Sequence, residues 1–95
     1  MINNVTTITE ADVWTTICQL EANKKYQLSF VPTAISSVDI HLHESDGVHY
    51  LTLRNPGTAM MAGFEYSYIL TPDQSGELVL RTNHGEVHSI VVEEK

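Results

Sequence analysis

The chain has 95 residues and a formal net charge of −7, from 5 Lys and Arg against 12 Asp and Glu. A domain of this size buries about 60–65% of the surface its unfolded chain exposes, enough for one thin core but not for a deep catalytic cleft beside it. Its acidity argues against a nucleic-acid partner, whose phosphates are held mainly by Lys and Arg, and no apolar run approaches the roughly 18–20 residues of a membrane span.

From the N-terminus, Met1 to Thr7 lacks the basic and apolar regions of a secretory signal peptide, so folding in the cytoplasm is expected. Asn4-Val5-Thr6 fits the glycosylation pattern, which without a secretory route reads as chance. Residues 1–12 carry few turn signals and only loose alternation. They are expected to form an N-terminal arm that reaches a neighbouring subunit, or an edge strand. From residue 13 to 95 the dominant signal is period-two alternation rich in Val, Ile, Thr, Tyr and Phe, the pattern of half-buried strands.

The alternation predicts strands over Val13–Leu20, Tyr26–Val31, Ser37–Glu44, Val48–Arg54, Phe64–Leu70, Glu77–Thr82 and Glu86–Val92. Turn formers separate them, among them Ala22-Asn23, Asp46-Gly47, Asn55-Pro56-Gly57, Pro72 to Gly76 and Asn83-His84-Gly85. The one helical candidate, Thr58–Gly63, is too short to stand alone. The expected fold is therefore all-β, a single antiparallel β-sandwich or jelly roll of about seven to eight strands. Cys18, the only cysteine, excludes an internal disulfide and any multi-cysteine metal site. Alternation places it beside Trp14, Thr16 and Leu20 as a small buried hydrophobe, and Trp14 itself is expected in the core.

One hairpin register follows from the sequence. With Asp46-Gly47 as a two-residue type I′ loop, His43 pairs with Tyr50, Leu42 with Leu51, His41 with Thr52, Ile40 with Leu53 and Asp39 with Arg54. Ile40, Leu42, Leu51 and Leu53 then share the core face. Asp39, His41, His43, Tyr50, Thr52 and Arg54 share the outer face, with a cross-strand Asp39–Arg54 pair. A one-residue slip would mix the two sets and bury charge. This outer face is the candidate interaction surface.

Other groups are weighed against plainer readings. His41 and His43, two apart on a strand, point to one face about 6.5–7 Å apart, a spacing that suits two metal ligands. The same register turns His49 to the other face, so a third ligand would have to come from His84 or His88. Surface histidines are the simpler account, and no metal is assigned. Ser36 and Ser37 lie near Asp39 and His41, yet the chain lacks a nucleophile elbow, a phosphate-cradling loop and a paired-carboxylate arrangement. No catalytic residue and no cofactor is assigned, and an enzyme is not expected. Asp73, Ser75 and Glu77 offer oxygens suited to calcium but read first as a turn. Phe64, Tyr66 and Tyr68 form an aromatic stripe, expected on the buried face because Glu65, Ser67 and Ile69 on the other side are mostly polar.

Two stretches carry a resemblance. Leu20-Glu21-Ala22-Asn23-Lys24-Lys25-Tyr26-Gln27-Leu28-Ser29-Phe30 resembles the leucine–turn–Lys-x-Tyr-x-Leu-Ser-Phe opening of jelly-roll modules of the carbohydrate-binding type. Tyr68-x-Leu70-Thr71-Pro72 followed by Ser75-Gly76-Glu77-Leu78-Val79-Leu80-Arg81 is similar to their later strands. In size and style the chain also resembles the decoration (cement) proteins of tailed-bacteriophage capsids. That resemblance implies a homo-oligomer, a trimer for instance, which clamps capsid protein through the arm or through exposed strand edges. The leading expectation is thus a non-enzymatic structural or interaction protein of a virion, made in the host cytoplasm. A carbohydrate-binding β-sandwich using Tyr50 or the Tyr66/Tyr68 stripe to hold a glycan is the first alternative. An acidic inhibitor that mimics nucleic acid is the second, although its acids are dispersed rather than blocked together.

Overall fold

The computed structural model describes residues 1–46, 48–54 and 59–95. It contains seven strands: β1 (Thr15–Leu20), β2 (Tyr26–Pro32), β3 (Val38–His43), β4 (Tyr50–Arg54), β5 (Tyr66–Leu70), β6 (Gly76–Thr82) and β7 (Val87–Glu94). Each arises where the alternation predicts one. In β2 the side chains of Tyr26, Leu28, Phe30 and Pro32 are buried and those between are half-buried; β3 repeats this with Val38, Ile40 and Leu42. The expected helical candidate is not a helix where it is described: Met60 forms a two-way backbone bridge with Ser36 instead. Thr58 and the predicted Asn55-Pro56-Gly57 turn lie outside the described residues, as does Gly47.

The strands form two antiparallel sheets, ordered β1-β6-β3-β4 and β5-β2-β7. Their facing sides enclose one core. Leu28, Phe30, Ile40, Leu42, Leu78, Leu80, Ile90 and Val92 are fully buried in it. Each such side chain contributes about 1.5–3 kcal/mol of burial.

The N-terminal segment runs antiparallel along β7. The Ile2 amide donates to the Val92 carbonyl at 2.9 Å, Ile90 to Thr6 at 3.0 Å, and Ile8 and Val87 exchange bonds at 2.7 and 3.0 Å. Counted as a strand, it makes the sheet orders β5-β2-β7-arm and β1-β6-β3-β4, the interleaved arrangement of a jelly roll. Asn3 locks the arm in place. It is 2% exposed, its Nδ2 donates to the carbonyls of Val5 and Ile90 at 2.8 Å, and its Oδ1 accepts from the Val92 amide at 2.8 Å.

Local irregularities explain where the predicted register departs. The pairings of His43 with Tyr50, Leu42 with Leu51 and His41 with Thr52 are present, but a bulge then sets Ile40 opposite Arg54 rather than Leu53. A bulge of one residue slides every later partner along, so the expected Asp39–Arg54 pair does not form. A second bulge, between Thr16 and Cys18, splits the face they were expected to share. Gly76 opens β6 rather than closing a turn: a Cβ there would stand 2.5 Å from the His43 carbonyl oxygen. Glycine is what lets β6 lie that close to β3.

Replacing Asn3 with Ala removes three hydrogen bonds, two of them buried, and leaves the Val92 amide without that acceptor. The expected loss is about 2–3 kcal/mol, read from the urea midpoint, together with faster hydrogen exchange at the Ile90 and Val92 amides. An unchanged midpoint would show that the arm does not hold the fold together.

A ring shelf on the outer sheet face as candidate functional site

Because Val38, Ile40 and Leu42 point into the core, Asp39, His41 and His43 of β3 point out. By the same parity, Leu78 and Leu80 send Val79 and Arg81 of β6 outward. Trp14, just before β1, reaches across β6 to β3 and lies 4.3 Å from the His41 ring, centroid to centroid. On the other side of His41, Tyr50 of β4 stacks at 4.9 Å with the planes only 6° apart. His43 closes the group, 5.4 Å from Trp14 and 5.9 Å from Tyr50. Four rings from three elements thus form a shelf outside the core.

Val79 shows what props it up. It stands between Thr16 and His41 in the sheet and faces away from the core, yet it is 2% exposed. Trp14 crosses β6 at this point and covers it. At one end of the shelf the Arg81 guanidinium carbon lies 4.5 Å from the indole centroid, and Arg81 Nη2 donates to Asp39 Oδ2 at 2.9 Å. A cation over an indole adds about 0.5–1 kcal/mol at a partly exposed site. Here it also fixes where the guanidinium points.

At the other end is the hairpin tip. Asp46 Oδ1 accepts from the amides of Val48 and His49 at 2.9 and 3.0 Å, and its Oδ2 holds His49 Nδ1. Glu44, Asp46 and His49 bring three potential ligand atoms within 4.8 Å of one another, but these bonds shape the turn. A hollow of about 280 Å³ lies between the two ends, lined by Trp14, Tyr50, Val48, Arg81 and the imidazoles of His41, His43 and His49.

The two ends titrate differently. Burial holds His41 below the ordinary histidine value, opposed by Asp39 and helped by His43 and Arg81. Its Nδ1 is buried with no hydrogen-bond partner among the described residues, and its Nε2 lies 3.4 Å from the Thr52 hydroxyl. His41 thus stands between two aromatic rings in a setting that disfavours its charged form. His49 is raised, first by its bond to Asp46 and then by the charges of Asp46 and Glu44. Asp46 is correspondingly held down at about 2, chiefly by the His49 side chain and then by the two amides.

Five of the six residues expected on the outer face are brought to the shelf or its margin: Asp39, His41, His43, Tyr50 and Thr52. Arg54 is not. Displaced by the bulge, it donates to the Ile69 carbonyl at 2.9 Å and ties β4 to β5 of the other sheet. Asp39 takes Arg81 as its partner instead. His49, expected on the opposite face, lines the hollow, because it belongs to the tip and not to the regular strand. Trp14, expected in the core, is on the outer face. Trp14 and Arg81 are the shelf residues that the sequence reading missed. The signal was the unbroken Leu78-Val79-Leu80, since a strand apolar on consecutive positions needs cover on both faces.

Other candidates resolve elsewhere. Tyr66 and Tyr68 face inward against Phe30, at 6.4 and 6.0 Å, whereas Phe64 is 62% exposed and leaves the expected stripe. Cys18 is half-buried, and burial pushes its thiol up to about 11. Ser36 Oγ is buried with no hydrogen-bond partner among the described residues. Ser75 accepts from the Ala22 amide, while Glu77 accepts from Thr16 and Gln19.

Comparison with protein-family models, with curated proteins and with solved structures finds no match to this chain.

The two imidazoles should separate in an NMR pH titration. His41 is expected to titrate below the ordinary histidine value and His49 above it, and Asp46→Asn should return His49 toward that value. For stability, the unfolded chain binds a proton at His41 before the folded one does, so acidification through the ordinary histidine range destabilises the fold there. The His49–Asp46 contact has the opposite dependence. Its contribution is full below the ordinary histidine value and is lost as pH rises through the raised one. Coincident titration of the two rings would contradict this arrangement.

Proposed function

We propose that the chain is a non-enzymatic structural protein of a bacteriophage virion, a decoration or cement module that attaches to capsid protein as a small homo-oligomer. It would be made in the host cytoplasm and act on the assembled particle. The observation that carries this reading is the pair of sheet edges at β4 and β5. Among the described residues β4 pairs with β3 alone and β5 with β2 alone, so each offers backbone groups to a neighbour, with the Ile69 carbonyl of β5 already taken by Arg54. Free edges are natural sites for pairing with another chain.

A thin-cored domain also gains from company, because oligomerisation adds the burial that a small core lacks. The arm, already committed to β7, is a poorer candidate for reaching a neighbour than the β4 edge. A non-enzymatic role fits a buried Ser36 and a Cys18 thiol displaced well above neutrality.

The β4 edge can be blocked selectively. The Glu44 amide donates to the His49 carbonyl at 3.0 Å, which marks that pair as hydrogen-bonded. Antiparallel pairs alternate, so Leu42 with Leu51 is the next bonded pair, and the Tyr50 and Thr52 amides point away from β3 to the free edge. Thr52→Pro therefore removes an outward N–H and no ladder bond. Light scattering should find an oligomer for the native chain and a folded monomer for Thr52→Pro. Produced together with a tailed-bacteriophage capsid protein, the native chain should sediment with the capsids. A native monomer that leaves capsids alone would overturn the assignment.

A further inference from the structure

We propose that two copies of the chain join edge to edge along β4 about a two-fold axis, with Arg54 of each copy set on Asp73 of the other. The inference rests on the self-association proposed above and names its contact.

The strand itself restricts the geometry. An edge strand that pairs antiparallel with its own copy does so about a two-fold axis standing across the sheet. Such an axis turns one copy end for end, so the start of one β4 meets the end of the other. Both copies keep the same side of the sheet toward the core. On that side a cleft of about 280 Å³ runs between β4 and β5, lined by Leu51 to Arg54 and by Ile69 to Asp73. Leu51 and Leu53 are only half-buried there, and Ile69 is exposed. On the outer side Val48 and Tyr50 are exposed. His41 of β3 covers one face of Tyr50, so the other face looks toward the free edge. Both flanks of the edge thus present apolar surface that a second copy would cover.

The charges in the cleft select a second copy as the occupant. A chain of net charge −7 repels its own copy, so a joint between copies needs matched charges where it closes. The cleft holds one cation and one anion, at opposite ends. Arg54 is the last residue of β4, opposite Ile40. Asp73 comes shortly before Gly76, where β6 opens against the His43 carbonyl, and His43 pairs with Tyr50, the first residue of β4. Among the described residues neither Arg54 nor Asp73 makes an ion pair within its own chain. Arg54 uses Nη1 and Nη2 on the carbonyls of Leu53 and Ile69. Those bonds hold the guanidinium at the edge and leave its other N–H groups for a carboxylate. Turning one copy end for end sets Arg54 against Asp73 twice, once on each side of the axis. The patch is complementary to itself.

The test is sedimentation equilibrium of the full chain at low salt, where the native chain is expected to be a dimer. Arg54→Glu and Asp73→Lys each place two like-charged pairs in the joint, so each alone should dimerise about tenfold more weakly. An equimolar mixture of the two should regain the native affinity, because every contact then holds one cation and one anion. The double variant Arg54→Glu/Asp73→Lys should regain it as well. Asp73 is exposed, so its variant keeps the fold and carries the test even if Arg54→Glu unfolds. Added salt should then narrow the gap between Asp73→Lys and the native chain, and a gap indifferent to salt would count against the contact. A native dimer that Thr52→Pro dissociates and the charge variants leave intact would overturn this contact but keep the reading above. Folded variants that weaken the dimer yet fail to rescue each other would overturn it too. So would a native trimer, which two-fold joints cannot build. A native monomer would sink the contact and the reading together.

Discussion

The double burial of β6 is the constraint on which both faces of the molecule depend. Leu78 and Leu80 fill the core while Val79, between them, is equally shut off from water on the other side. A central strand of a sandwich normally needs cover on one face only. Here the outer face needs a lid, and Trp14 supplies it from the end of β1. The lid then packs His41, and His41 packs Tyr50, so the shelf is assembled outward from one buried valine. Gly76 belongs to the same arrangement, since the close approach of its backbone to His43 sets β6 against β3 at the end of the strand. Core and shelf are thus two sides of one strand.

Electrostatics on this face orient more than they stabilise. The Asp39–Arg81 pair is partly exposed on both sides, and pairs of that kind contribute about 0–1 kcal/mol. What the pair fixes is direction: the guanidinium is set between a carboxylate and an indole and faces the hollow. The His49–Asp46 contact does the same at the hairpin tip. The overall charge of −7 is therefore a poor guide to the local field, because acids placed behind basic groups leave a hollow with no carboxylate in its walls.

Most of the fold was legible because it rests on local alternation. Tyr26-x-Leu28-x-Phe30 and Val38-x-Ile40-x-Leu42 state their faces without help from the rest of the chain. The hairpin register was legible as far as His41 and Thr52, and was lost at the bulge. Nothing in Ile40, Leu53 or Arg54 announces an extra residue. That single slip removed Arg54 from the face and left Asp39 to Arg81, 42 positions away. Contacts at such separations have no local signature. Trp14 was misplaced for a related reason: a lone tryptophan beside a strand signals burial but not which side of the sheet provides it. The arm was ambiguous because Asn3, which locks it, reads as an ordinary polar residue until its partners at Ile90 and Val92 are known.

The shelf and a free sheet edge meet on β4, whose side chains and backbone point in different directions. Side chains of Tyr50 and Thr52 stand on the outer face with the shelf, while their amides look along the sheet toward the free edge. A strand added to that edge would extend the sheet past Tyr50 and bring its own outward side chains level with the hollow. Any partner that pairs with β4 would therefore also rebuild one wall of the hollow. The β4 edge and the hollow are for that reason coupled by geometry: whatever would occupy the edge would also set how deep the hollow is and which groups complete it.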